Sequence, residues 1–561
     1  MLEVDERTPP TLFHYGEGFR LQKLPLGSRV VYPPEPLPGI RDVDAAIDHA
    51  LEHPHGSEPL RALLRSGMRL TIAFDDISLP LPPMQTPDIR GRVIERVLEL
   101  AAQAGVDNVK LMVANSLHRR MTAAEIKRAV GERVFRSFWP DDLTNFDAED
   151  RPNLTYIGAT DQGEDVEISK RAAESDLLVY VNINLVAMDG GHKSVPVGLG
   201  SYRSLRHHHN VHTMLHSRSY MDPPASALHS SCDRMGKLLA NHLKIFTIET
   251  TLNNHTFGAP FDFLQKREWE WSAADQAAFL ATKASTDRTP AAVKRAIFSR
   301  IYSPYGVTGI NAGETEAVHE RTLEAVRRQQ MVEVSGQADI LVAGLPYIGP
   351  YNVNSIMNPI LVVCEGLGYF FNMYRGRPLV RRGGVMIMYH PVAREFHNIH
   401  HPSYIDFFDE VLAETTDPAV IEGKFEESFA TDSWYTHLYR HSHAYHGVHP
   451  FYMWYWAAHA FDYLGDVIFV GADRSTVARL GFRTASTFAD ALDMASETVG
   501  TSPSITALKV PPLLLADVRG EAESPDPPPR RGRRLSAPDS ANGHRRGHPS
   551  ASPARRAETG R

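Results

Sequence analysis

Three side chains that could do chemistry stand at distinctive places in the first half of this sequence. His118 follows the apolar run NVKLMVAN, Lys193 closes a Gly-Gly-His-Lys turn, and His209 ends three consecutive histidines sixteen positions later. Imidazole titrates near neutrality, so His118 can take a hydroxyl proton and return it. A neutral imidazole is also a good ligand to transition metals, which any of the three consecutive histidines could be. Because His207, His208 and His209 are consecutive, only one or two of them can face one site. Asp76 and Ser78 end a further apolar run, RLTIAF, and the pair Gly190-Gly191 lets backbone approach a ligand closely. Taken singly, a histidine after a strand and a lysine in a glycine turn are ordinary structural or surface features. Their order and spacing give them weight.

The elements that must position these residues alternate. RLTIAF reads as a buried strand, IRGRVIERVLELAAQAG as an amphipathic helix closed by Gly105, and NVKLMVAN as a second buried strand. TAAEIKRAVG follows as a helix opened by a Thr-x-x-Glu capping box, and DLLVYVNINLV as a β-branched strand before a glycine-rich loop. Strand and helix in alternation mean a parallel α/β sheet. In such sheets ligands bind beyond the carboxyl ends of the strands, where the polar junctions 75–80, 115–122 and 184–198 fall. A second α/β run starts at ADILVAGL and continues through GGVMIMYH and DVIFVGA.

The chain has 561 residues, more than one core usually supports. We expect an extended lead-in over 1–40, an N-terminal domain over 41–263, a helical connecting segment over 264–330 and a smaller C-terminal α/β domain over 331–518, with the site in the cleft between the domains. The stretch 519–561, with ten arginines against five acidic residues and no aromatic residue, reads as a disordered basic tail. A net charge of -8 with both signs interspersed implies no nucleic-acid partner. No apolar run is long enough to span a membrane, and the N-terminus does not read as a secretory signal. Two cysteines, Cys232 and Cys364, are too few for a disulfide framework and read as buried small hydrophobes. We expect a cytoplasmic protein.

Four stretches in order, spanning nearly all of residues 35–215, resemble the N-terminal domain of the nickel-dependent lactate racemase (2-hydroxyacid racemase and epimerase) superfamily. ALEHPHGSEPLRALLRSG runs into FDDISLP, which is similar to the family's Asp-x-Thr-Arg-Pro loop, with Asp76, Ser78 and Pro80 matching. NSLHRRMTAAE resembles its Gly-x-His-Arg-x-Met-Thr-x-x-Glu segment, which implies an acid/base role for His118. NLVAMDGGHKSVPVGLGSYRS resembles its Ala-Gly-x-Ser-Gly-Gly-x-Lys stretch. That match implies covalent attachment of a nickel-pincer nucleotide at Lys193, with Asp76, Ser78, Gly190 and Gly191 lining it and His209 as the protein ligand to nickel. The pincer nucleotide is a pyridinium mononucleotide whose carbon and sulfur atoms grip the metal. The activity implied is reversible hydride transfer on a small hydroxyacid-type substrate, in partnership with cofactor-synthesis enzymes.

The pattern also breaks. The family's second acid/base histidine falls at Asn184, and a neutral amide cannot exchange protons near pH 7. His192, Asp189 and His390 are candidates to replace it. Leu79 stands where the family has Arg. In LPYIGPYNVNSIMNP, which sits where the family shows Tyr-Gln-x-x-Lys, Tyr351 and Asn354 are substrate-binding candidates, but Met357 cannot replace the Lys. Losing both cations argues for a substrate other than lactate. Arg375, Arg377, Arg381 and Arg382 are candidates for a carboxylate clamp. The His-rich stretches HNIHH and HSHAYHGVH read as loop histidines, with an independent metal site as the rival. Two other functions stay open: a one-way oxidoreductase with the same cofactor, which Asn184 favours, and a non-catalytic cofactor- or metal-binding homologue, which the lost cations and histidine favour.

Overall fold

A computed structural model describes residues 1–79 and 81–520. Pro80 and the stretch read as a basic tail, apart from Arg519 and Gly520, lie outside the described residues. The chain is mixed α/β, with two large sheets that are parallel except at one edge each.

The six-stranded sheet runs in the order Val307–Gly313, Ile245–Leu252, Leu177–Asn184, Arg69–Asp75, Asn108–Ala114, Leu143–Asn145. All neighbours are parallel except the edge strand Val307–Gly313, which pairs antiparallel with Ile245–Leu252. Every residue of the central strand Leu177–Asn184 is buried, as expected of a β-branched run covered on both faces. The helix Ala123–Phe138 opens with the capping box read from the sequence, Thr122 and Glu125 bonding each other's backbone N–H.

The seven-stranded sheet runs Leu2–Glu3, Arg29–Val31, Ile505–Leu508, Ala338–Gly344, Val380–Tyr389, Asp466–Val470, Arg483–Ala485. Its first two strands come from the segment expected to be a mere lead-in. Arg29–Val31 pairs in parallel with Ile505–Leu508, and Thr11–Tyr15 forms a hairpin with Gly18–Gln22. These strands are two to five residues long, too short to show a period, and Arg29–Val31 has its parallel partner hundreds of residues away. The expected helical connector likewise contains the strand Val307–Gly313, whose glycines hide it. One hydrophobic cluster joins the two halves, from Met112, Leu117 and Tyr180 through Tyr404 and Tyr445 to Trp456. Among the described residues no helix is long and apolar enough to cross a membrane.

Candidate functional site

Asp76, His118 and Lys193 all sit just past carboxyl ends of strands of the six-stranded sheet. His118 Nδ1 lies 2.7 Å from Asp76 Oδ2. Asp76 Oδ1 accepts from the Ser78 backbone N–H at 2.9 Å and from its hydroxyl. Burial pushes the Asp76 carboxyl up, but His118 and Ser78 outweigh burial and hold it below its ordinary value. An anionic Asp76 fixes the Nδ1–H tautomer of His118 and leaves Nε2 with its lone pair. The loop is clamped by a residue that the sequence does not single out. Arg90, buried on the helix Ile89–Gln103, donates to the carbonyls of Asp75 and Asp76 at 2.9 and 2.6 Å and pairs with Asp88 at 2.7 Å. Leu79 packs onto the apolar core of this half.

The loop leading to Lys193 is held by its own side chains. Asp189 accepts from the backbone N–H groups of Leu185 and Val186, each at 3.0 Å. Asn184 donates its amide to the Asp189 carbonyl at 2.8 Å, so this amide shapes the loop. Gly190 has φ 81° and Gly191 φ 64°, conformations that favour glycine. The close approach the glycine pair permits is to protein: a Cβ at Gly190 would collide with Asn184 and Glu249, and one at Gly191 with His319. Glu249 accepts from the Gly191 N–H at 2.6 Å. Half-buried Lys193 follows directly in the turn Gly191–Lys193, with no ion-pair partner among the described residues.

His209 stands within reach of the Lys193 charge. Burial, then His208, Lys193 and His118, hold its imidazole well below the ordinary range, so it is neutral at pH 7. His208 Nδ1 lies 2.6 Å from His209 Nδ1, which orients the ring and leaves His209 Nε2 as the free nitrogen. The rings of Tyr452 and Trp456 pack on it, with centroids 5.2 and 5.8 Å away. His207 faces Asp165 at 3.9 Å.

Residues from the second half roof this arrangement. The Tyr351 ring lies 5.2 Å from that of His118, and its hydroxyl is 2.9 Å from that of Tyr369. Tyr439 donates to the Ser116 carbonyl at 2.6 Å, His443 to that of Arg120 at 2.9 Å, and the His446 N–H to that of Leu117 at 3.2 Å. Exposed Asn354 donates at 2.8 Å to Glu125, which also pairs with buried Arg119. His449, which the sequence did not mark for a role, has its ring 5.3 Å from that of His118.

The other sequence candidates are engaged elsewhere. His390 Nδ1 accepts from the Val392 N–H, and its ring lies against the Gly16 turn. His192 packs against Gly236. Arg381 and Arg382 pair with Asp339 and Asp462 at 2.6 and 2.7 Å, and Arg375 lies 3.5 Å from Asp222, so these three guanidiniums serve structural ion pairs. In HNIHH, His397 stacks on His400, and His401 bonds the His397 N–H. Among the described residues no group of three or more His, Cys, Asp or Glu is disposed to hold a metal ion. A metal at His209 therefore needs donors that a cofactor brings.

Some buried polar atoms on the immediate neighbours of these residues have no hydrogen-bond partner: His208 Nε2 beside His209, the Tyr452 hydroxyl and Trp456 Nε1 of the rings packed on it, and Nδ2 of Asn182, which bonds Ser194 next to Lys193. Such groups are rare because each costs about 1–3 kcal/mol when left unpaired. Those beside His209 are groups that a polar ligand can satisfy.

Residues 15–222 match the lactate racemase N-terminal domain. A lactate racemase of Lactiplantibacillus plantarum is 27% identical over 168 residues, 29% of this chain and 38% of that protein. One from Thermoanaerobacterium thermosaccharolyticum is 28% identical over 167 residues, 29% of this chain and 37% of that protein. The chain thus matches under two-fifths of the length of these curated relatives. The structure of the lactate racemase apoprotein from Thermoanaerobacterium thermosaccharolyticum superposes with a TM-score of 0.60, covering 91% of this chain and 100% of that one at 18% identity, a likeness of fold.

Proposed function

We propose that this divergent member of the lactate racemase superfamily is a racemase or epimerase that uses a nickel-pincer nucleotide on a 2-hydroxyacid-like substrate other than lactate. The observation that carries the reading is that neutral, buried His209 feels the charges of Lys193 and His118, while its neighbour His208 and the rings of Tyr452 and Trp456 on it leave polar atoms unpartnered.

The residues present fit the group. A pincer nucleotide brings carbon and sulfur donors to nickel, and so asks the protein for one amine and one further ligand; Lys193 and His209 Nε2 are of those types. The orphaned amide, hydroxyl, indole and imidazole atoms can satisfy its sugar and phosphate oxygens. When bound, the group supplies reversible hydride acceptance from the substrate carbon.

The chain's own residues handle the proton and the orientation. Asp76 holds the Nδ1–H of His118, so Nε2 takes the substrate hydroxyl proton and returns it. His208 keeps the His209 ring turned, and Arg90 keeps the Asp76 loop in place. The Tyr351 ring packs edge to face on His118 and covers one side of it. With Leu79 and Met357 at the family's cation positions, the carboxylate must be held otherwise. The two cysteines are buried and free, which supports a cytoplasmic setting, where the enzymes that build the cofactor would be partners.

Protein produced alongside cofactor-synthesis enzymes tests the reading. Intact mass should show an adduct that vanishes in Lys193→Ala, and elemental analysis should find about one nickel per chain. An unmodified mass without nickel overturns it.

A further inference from the structure

The sequence leaves the second proton-transfer group without an owner, since Asn184 is tied to the Asp189 carbonyl and His192, Asp189 and His390 are turned to other tasks. One imidazole in the structure is held as a proton-transfer group would be. His449 begins the helix His449–Tyr455 and is 2% exposed. Its Nδ1 lies 2.6 Å from the Tyr404 hydroxyl, and its Nε2 is buried with no partner. Its ring is edge-to-face with both His118 and Tyr351, at centroid distances of 5.3 and 5.2 Å. Tyr445, 4.4 Å from it, donates to the Tyr351 carbonyl at 2.6 Å and fixes the wall behind it.

We infer that His449 is the second acid/base residue, serving the substrate hand that His118 does not. The inference rests on the hydroxyacid reading above. The two rings meet edge to face, so the two imidazoles are direct neighbours at one place in the fold. The inference asks that one substrate hydroxyl reach either Nε2, and the unpartnered Nε2 of His449 is the nitrogen left for it. A hydroxyl both donates and accepts, so Tyr404 can accept the Nδ1–H of His449 whether its ring is neutral or protonated, and the ring need not move between acting as base and acid. For the hand that His449 serves, the substrate O–H bond breaks and its proton goes to His449 Nε2. The carbon-bound hydrogen leaves with its electron pair to a hydride acceptor of the pyridinium class, and C–O becomes C=O. Return of hydride to the opposite face takes its proton from the Nε2–H of His118, which for this hand starts as the imidazolium beside the Asp76 carboxylate while His449 starts neutral, and the two exchange these states for the other hand. This arrangement draws one base from each half of the chain, which explains how Asn184 can be tolerated.

The test uses loaded holoenzyme and the separate enantiomers of 2-hydroxybutyrate, acid-quenched before turnover and assayed for bound 2-oxobutyrate. Wild type should yield the keto acid from both hands. His449→Gln should lose it from one hand by about 10²-fold or more, and His118→Gln from the other. Tyr404→Phe, which keeps His449 but frees Nδ1, should weaken the same hand as His449→Gln by roughly tenfold. Equal loss from both hands in His449→Gln, or no loss, overturns the assignment.

A second readout does not need turnover. In the unloaded chain labelled with ¹⁵N-histidine, 2-oxobutyrate should shift the ring signals of His118 and His449 together. A shift at His118 alone overturns the role of His449. A cofactor adduct with both rings indifferent to 2-oxobutyrate overturns the hydroxyacid reading and, with it, this assignment. Absence of any adduct counts against the cofactor reading alone, because the ring shifts still decide His449.

Discussion

At the carboxyl ends of the six-stranded sheet, the side chains that could do chemistry are held by neighbours from the same sheet's loops. Asp76 bonds Ser78 two residues on, Asn184 bonds Asp189, and Asp76 meets His118 across adjacent strands. The cover over them, Tyr351, Tyr404, Tyr445 and His449, is assembled from segments spread over about a hundred residues and packed through aromatic rings. One half thus stores its polar groups in short motifs, and the other supplies a roof whose members meet only after folding. The difference teaches that proton-handling groups written locally survive divergence visibly, while a replacement recruited from the roof leaves no local mark.

The comparison breaks most sharply at the chemistry. His118→Ala should lower kcat for interconversion of 2-hydroxyacid enantiomers by about 10²–10⁴-fold, as expected for loss of a general acid/base. Loss of under about tenfold would remove the N-terminal motif from the mechanism.

Ion pairs sharpen it next. The Arg90–Asp88 pair is 4% exposed on each side chain and also grips the Asp76 loop, whereas Arg382–Asp462 in the other half is 24% and 17% exposed. Arg90→Leu should cost about 3–5 kcal/mol by leaving a buried carboxylate uncompensated. Arg382→Leu should cost no more than about 1 kcal/mol. Urea midpoints at unchanged slope measure both, and equal costs would contradict the contrast.

Gly190→Ala should cost about 1–3 kcal/mol, because alanine must adopt φ 81° and its Cβ meets Asn184 and Glu249. A thermal midpoint within error of wild type would show that the loop can open without strain.

A further effect is a pH slope in the other half. Burial first, then Lys509, holds His14 down to about 3, and burial holds His390 at about 4. Unfolding returns each toward about 6.5. Between these values the unfolded chain binds more protons, so this stability is present above about pH 6.5 and is lost as pH falls toward the folded values. Urea midpoints should drop across that window, and His14→Phe should flatten the drop. An unchanged slope in that variant would exclude His14 as a cause.

Much of the N-terminal half was legible before the structure. The strands at 69–75 and 108–114, the capped helix at 123 and the polar junctions follow from period and capping chemistry, because each signal lies within one short window. Arg90 was not legible, since an arginine on an amphipathic helix reads as solvent-facing until its carbonyl partners at Asp75 and Asp76 are known. Nor were the strands Leu2–Glu3 and Arg29–Val31, whose partners are remote or too short to show a pattern. His449 lies inside a histidine-rich stretch that reads as loop histidines; only the ring of His118 opposite and the Tyr404 hydroxyl behind it distinguish it from its neighbours.

The central claim is that His209 and Lys193 grip one nickel-bearing group, and the nickel-edge X-ray absorption spectrum of loaded protein addresses it most directly. The account predicts a nitrogen scatterer at about 2 Å beside the sulfur shell, as for imidazole bound to a similar divalent metal, present in wild type and absent in His209→Ala. A spectrum that the His209→Ala change leaves untouched would contradict it.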